Sequence, residues 1–174
     1  MSACQCNSKQ WGQPEWRPRV MVVDDAPCIR DLLVSFIQRS GRCELAGCAS
    51  DGWGAVEWFA AMRPDLILMD LNMPGMNGLV ATRLIKLEAG APLVVVMSLD
   101  NSLAHRKAAR ADEADGFISK AHLHAGITAW LDHLCGGSVP LAPHGWKQRR
   151  IPKLPTPVAP LSLAPSAPAA SGIE

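Results

Sequence analysis

Three short runs of uninterrupted apolar residues constrain this chain more than any other feature. They are Val20–Val23 (VMVV), Leu66–Met69 (LILM) and Leu93–Met97 (LVVVM), and each is followed at once by a polar residue: Asp24, Asp70 and Ser98. Apolar runs this short, closed by turn residues, read as strands buried on both faces, the pattern of a parallel sheet covered by helices. After the second run, Asn72, Pro74, Gly75 and Gly78 force a loop, because proline and glycine supply turn geometry and weaken a ladder. Asp70 therefore stands at a strand end beside a tight loop. Taken alone it reads equally well as a helix cap or as a metal ligand or covalent nucleophile.

The segments between these runs carry helical spacing. Pro27 suits a first helical turn, with Asp25 or Ala26 as its cap, and Ile29, Leu32, Leu33, Phe36 and Ile37 repeat on one face until Gly41. Cys43–Ala49 is a strand of mixed pattern, as at a sheet edge. Asp51 caps a second helix that turns Val56, Phe59 and Ala60 inward and stops at Pro64. A third helix is expected from Asn77 to Glu88, with Val80, Leu84 and Leu87 as its apolar face. The fourth, Ser102–Ala111, has only Leu103, Ala104 and Ala108 as cover, which predicts a mobile element. Gly116–Ser119 is a short last strand ending at Lys120, and Leu123, Ile127, Trp130, Leu131 and Leu134 mark a final amphipathic helix. Five strands alternating with five helices predict an α/β fold: a doubly wound, five-stranded parallel sheet with right-handed crossovers.

Residues 1–17 read as a polar leader and 18–136 as one domain. From 137 to 174 the chain reads as a disordered tail, since eight of its fourteen prolines lie at or after Pro140. The basic cluster Lys147, Arg149, Arg150 and Lys153 reads as solvated. The net charge of +1 gives no global field toward nucleic acid or an anionic membrane. No apolar run is long enough to span a bilayer, and the N-terminus lacks a signal-peptide core, so a cytoplasmic location is expected. Cys28, Cys43, Cys48 and Cys135 lie within apolar patterns and are expected as small buried hydrophobes, whereas Cys4 and Cys6 form an isolated C-x-C, a weak zinc signal. The chain has no tyrosine, which excludes tyrosine chemistry.

In a parallel sheet the carboxyl ends of the strands share one edge, so Asp24, Asp25, Asp70, Ser98 and Lys120 converge although they are far apart in sequence. Carboxylates with a main-chain carbonyl suit a hard cation such as Mg²⁺. A lysine and a hydroxyl suit the phosphoryl oxygens that such a cation leaves exposed.

On these residues the segment from about Arg19 to Leu134 resembles the receiver domain of two-component response regulators. The pair Asp24-Asp25 after VMVV resembles the family's metal-binding acids, and Asp70 within D-x-x-M-P-x-x-x-G resembles its phosphoacceptor. The resemblance implies a flavodoxin-like strand order 2-1-3-4-5, with Mg²⁺ held by Asp24, Asp25, Asp70 and the carbonyl of Asn72. It implies Ser98 as the switch hydroxyl, Phe117 as the switch aromatic and Lys120 as the phosphate-binding lysine. Asn72, Leu99 and Asp100 would tune hydrolysis of the phosphorylated form. Ala121 replaces the proline common in receivers after that lysine; a cis Lys120–Ala121 bond, frequent in the family, would cost about 3 kcal/mol. His122 and His124 read as exposed caps, and Arg106, Lys107 and Arg110 as the solvated face of the fourth helix.

The function implied is a phosphoacceptor switch and not an enzyme beyond its own phosphorylation and dephosphorylation. Its donor would be a sensor histidine kinase or a histidine phosphotransfer protein. Its output would run through the fourth helix, fifth strand and fifth helix to a protein target, with homodimerisation on phosphorylation as an option. No effector module is expected in the Pro-rich residues, hence no specific DNA binding. One alternative is an Mg²⁺-dependent phosphatase with an aspartyl nucleophile, but that chemistry uses a second acid where this chain has Asn72. Another is a transcription regulator whose output domain is lost or supplied in trans.

Overall fold

The structure is a computed structural model that describes residues 17–135. Residues 1–16 of the leader, the Pro-rich tail, Cys4, Cys6 and the basic cluster lie outside the described residues. In chain order the elements are β1 (Arg19–Val23), α1 (Pro27–Ser40), β2 (Glu44–Ala49), α2 (Gly52–Met62) and β3 (Leu66–Asp70). They continue with α3 (Gly78–Lys86), β4 (Leu93–Ser98), α4 (Leu103–Ala111), β5 (Gly116–Ser119) and α5 (Leu123–Leu134). The strands form one parallel sheet of order β2-β1-β3-β4-β5.

The sheet works because successive side chains leave opposite faces. Val20, Val22, Leu66, Leu68, Val95 and Met97 point to one side, where they pack with Leu33 and Ile37 of α1 and Ile127 and Leu131 of α5. Met21, Val23, Ile67 and Met69 point to the other, against Ala55 of α2 and Ala81 and Ile85 of α3. Central β3 is buried along its whole length. Each buried aliphatic side chain in it contributes about 1.5–3 kcal/mol relative to exposure. At the amino edge of the sheet, Lys86 of α3 and Asp115 before β5 form a buried ion pair. The Lys86 ammonium also donates to the Pro92 carbonyl at 2.6 Å, and the Asp115 carboxylate accepts from the Val94 N–H at 2.7 Å.

Helix starts follow the capping residues: Asp51 Oδ1 accepts from the Gly54 N–H, Asn77 Oδ1 from Val80 and Ser102 Oγ from His105. Helix α1 instead begins at Ala26, without a side-chain cap. His122 and His124 are exposed as expected, but His122 makes no cap bond.

Several expectations about helix faces are corrected. Val80, Leu84 and Leu87 do not face the sheet; they are 47%, 38% and 78% exposed, and Gly78, Ala81, Thr82 and Ile85 are buried instead. Helix α4 buries Ala109, not Leu103, which is 67% exposed, or Ala104. Leu32 and Ala60 are also exposed, as are Cys28 and Cys135. On α3 the inner face is made by Gly78, Ala81, Thr82 and Ile85, so the helix turns a second apolar stripe of the same period outward. No cis peptide occurs among the described residues, so the Lys120–Ala121 bond is trans.

Candidate functional site

Strand register brings the polar strand ends together. Val23 pairs with Met69, so Asp24 and Asp70 leave adjacent strands at the same level. Asp70 pairs with Met97, and Ser98 pairs with Ser119, the residue before Lys120. The loop after β3 is held against this edge by Gly78, whose N–H donates to the Leu71 carbonyl at 3.0 Å. A Cβ at Gly78 would lie 1.9 Å from the Asp70 carbonyl oxygen, so only glycine lets α3 start this close to the acid.

Asp24 is fully buried. Its Oδ1 accepts from the Ala26 N–H at 3.0 Å, and Arg30 donates to the carbonyls of Asp24 and Asp25 at 2.7 and 3.0 Å, fixing the turn after β1. Lys120 Nζ lies 2.7 Å from Asp24 Oδ2 and 2.9 Å from Asp70 Oδ1. A lysine between two buried carboxylates leaves the trio one negative charge in excess. Burial pushes the Asp70 carboxyl above the ordinary carboxylate range; the Lys120 ammonium and the Asn72 main-chain N–H oppose that rise, and the Asp24 charge adds to it. For Lys120, burial acts downward, but its contacts with Asp24 and Asp70 outweigh it and the net shift is upward.

The acids also fit a metal. Asp24, Asp25 and Asp70 each offer an oxygen, and these atoms lie within 4.8 Å of one another. Asp24 Oδ2 is buried and its near neighbour is the Lys120 ammonium at 2.7 Å, and a carboxylate oxygen so placed keeps a further lone pair for a cation. An all-oxygen donor set of this kind suits a hard divalent cation. Asp25 is exposed and would hold the ion from the solvent side.

Ser98 is fully buried at the end of β4, and its hydroxyl accepts from the Asp100 N–H at 3.1 Å. Phe117 is only 7% exposed and packs with Leu71, Val96, Ala109 and Ala114. Phe117, the residue expected as the switch aromatic, therefore faces inward. Lys107 and Arg110 are exposed as expected, and Arg106 is half-buried. Its guanidinium lies 5.9 Å from the centre of the Phe117 ring, and its Nε donates to Asn101 Oδ1 at 2.8 Å. Sequence reasoning missed this role because a basic residue on a polar helix carries no sign of which ring it covers.

Leu99 is 79% exposed. Asp100 turns toward α4: Oδ1 accepts from the Ser102 N–H at 2.8 Å and Oδ2 lies 3.0 Å from His105 Nδ1. Asn72 is exposed at the start of the loop. No helix among the described residues is long and apolar enough to cross a membrane.

Comparison with known proteins agrees with this geometry. Residues 20–131 match the family model described as response regulator receiver domain. A protein-glutamate methylesterase/protein-glutamine glutaminase of Myxococcus xanthus is 38% identical over 122 residues, 70% of this chain and 31% of that protein. The corresponding protein of the group 2 operon of Cereibacter sphaeroides is 35% identical over 158 residues, 88% of this chain and 41% of that one. The chain thus spans less than half the length of these curated relatives. Among solved structures, the response regulator domain of Thermotoga maritima CheB superposes with a TM-score of 0.64 at 28% identity, covering 71% of this chain and 99% of that one. The receiver domain of the NarL regulator from Mycobacterium tuberculosis gives 0.65 at 30% identity, covering 70% and 98%.

Proposed function

The chain belongs to the response regulator receiver domain family, and from that premise we propose that it is a phosphoacceptor switch whose acceptor is Asp70. The single observation that carries this reading is Lys120 bridging Asp24 and Asp70 beside three convergent acid oxygens.

In the proposed transfer, an Asp70 carboxylate oxygen attacks the phosphorus of a phosphohistidine on a sensor kinase or phosphotransfer protein. The new O–P bond forms as the N–P bond breaks, and the imidazole leaves with the electron pair. Lys120 is already within 2.9 Å of the acceptor oxygen and would follow the charge onto the phosphoryl group. The buried Ser98 hydroxyl, at the adjacent strand end, would donate to a second phosphoryl oxygen. Asp24, Asp25, Asp70 and the Asn72 carbonyl would hold Mg²⁺, which neutralises phosphoryl charge when bound.

Output is assigned to the face of α4, β5 and α5. There the Asn101–Arg106–Phe117 chain of contacts joins the loop after Ser98 to the surface of α4. Drawing Ser98 toward a phosphoryl group would tug this loop and shift the population of α4 positions. We read residues 18–136 as the receiver unit, with cytoplasmic action through protein contacts, no enzymatic activity beyond self-phosphorylation and dephosphorylation, and no specific DNA binding. The test is labelling by acetyl phosphate. Wild-type protein should label only with Mg²⁺ present, Asp70→Asn should not label, and persistent labelling of Asp70→Asn would overturn the assignment.

A further inference from the structure

The outward face of α3 carries an apolar stripe that no described residue covers. At 3.6 residues per turn, Val80, Leu84 and Leu87 fall in a strip about 60° wide, while Ala81, Thr82 and Ile85 face the sheet. The 4-then-3 spacing is that of a coiled-coil seam, in which such residues meet their counterparts on a second helix. The flanks are charged with opposite sign. Arg83 borders one side, largely exposed and only 3.9 Å-paired with Asp112, and Glu88, exposed in the turn that continues the helix, borders the other.

We propose that this face is a homodimer interface, in which α3 pairs in parallel with α3 of a second copy about a two-fold axis along the helices. The charges choose both the partner and the direction. In a parallel pair Arg83 of each copy lies beside Glu88 of the other, five residues on, the position of an attractive flanking pair. An antiparallel pair would set Arg83 against Arg83 and Glu88 against Glu88. The parallel arrangement also places α2 of each copy beside α4 of the other. Trp53, 66% exposed on the first turn of α2, and Leu103, exposed on the first turn of α4, lie at the same sheet edge and would meet across the axis. These two flanking contacts widen a seam that three residues alone would leave too small for a stable dimer. The pairing needs no phosphoryl group, so it stands apart from the chemistry of Asp70; it is centred on α3 and reaches α4 only at Leu103, leaving β5 and α5 uncovered.

Sedimentation equilibrium of the full chain tests it, together with three variants. Wild-type protein should show a concentration-dependent monomer–dimer equilibrium, and Leu84→Glu should be monomeric with an unchanged circular dichroism spectrum. Arg83→Glu and Glu88→Arg should each weaken the dimer roughly tenfold, and the double swap should restore most of it. Because both swap positions are exposed, they report on pairing even if Leu84→Glu folds poorly. A wild-type chain that stays monomeric at every concentration, a dimer indifferent to Leu84→Glu, or a double swap no tighter than the singles would overturn the proposal.

Discussion

At the scale of single residues, the site is a balance between burial and pairing. Asp70 has its carboxyl raised in the fold, so its ionised form is less stable there than in the unfolded chain. The favourable contribution of such a group is complete only below its ordinary value and is lost as pH rises through the raised one. At neutral pH without metal, Asp70→Asn should therefore raise the thermal midpoint, and the gain should shrink toward acid pH, where the wild-type carboxyl is protonated in both states. A variant less stable than wild type at neutral pH would show that the Lys120 contact outweighs burial. Leu99 and Asp100 are the residues expected to set the lifetime of the phosphorylated form. Asp100 is turned toward α4, with Oδ1 accepting from the Ser102 N–H and Oδ2 beside His105 Nδ1, and Leu99, 79% exposed here, would have to fold inward to cover a phosphoryl group. Leu99→Ala should shorten the half-life of the acyl phosphate severalfold, since excluding a well-placed nucleophile can slow a reaction by about a hundredfold. An unchanged half-life in a decay assay would mean that Leu99 points elsewhere.

At the scale of elements, the close approach of α3 to β3 keeps the acceptor in place. A methyl group at Gly78 meets main-chain atoms of Asp70, which cannot yield as a flexible side chain would. Gly78→Ala should cost about 1–3 kcal/mol in denaturant unfolding and should lower the labelling rate of Asp70 as well. A stable variant with normal labelling would show that the helix can slide without moving the acid. This element also marks where sequence reading stops. The strands were legible because a strand buried on both faces needs apolar residues at every position, and their ends then located Asp24, Asp70, Ser98 and Lys120. The inner face of α3 was not, because Gly78, Ala81, Thr82 and Ile85 make a less apolar stripe in sequence than Val80, Leu84 and Leu87, which repeat at the same period outside. Periodicity reports that a helix has an apolar stripe; it does not report which side meets the sheet. Arg106 escaped for a related reason, since its partner Phe117 lies on another element.

At the scale of the whole molecule, the described elements close their own core. Leu134, the last residue of α5, is still buried in the cluster that begins at Val20. Removing residues 137–174 should therefore shift the thermal midpoint by no more than a few degrees, and a larger fall would show that the Pro-rich segment packs on the domain. Among the described residues, buried ion pairing sits at opposite edges of the sheet, Lys86 with Asp115 at the amino edge and Lys120 with both Asp24 and Asp70 at the carboxyl edge. Only the second leaves charge and lone pairs in excess, which makes it the edge built for a ligand. Chemical trapping tests this most directly. Borohydride reduces an acyl phosphate on aspartate to homoserine, so protein treated with acetyl phosphate and Mg²⁺ and then reduced can be mapped by mass spectrometry. Homoserine at position 70, absent without Mg²⁺, is the predicted result; homoserine at position 24 or 25, or none at all, would contradict the account.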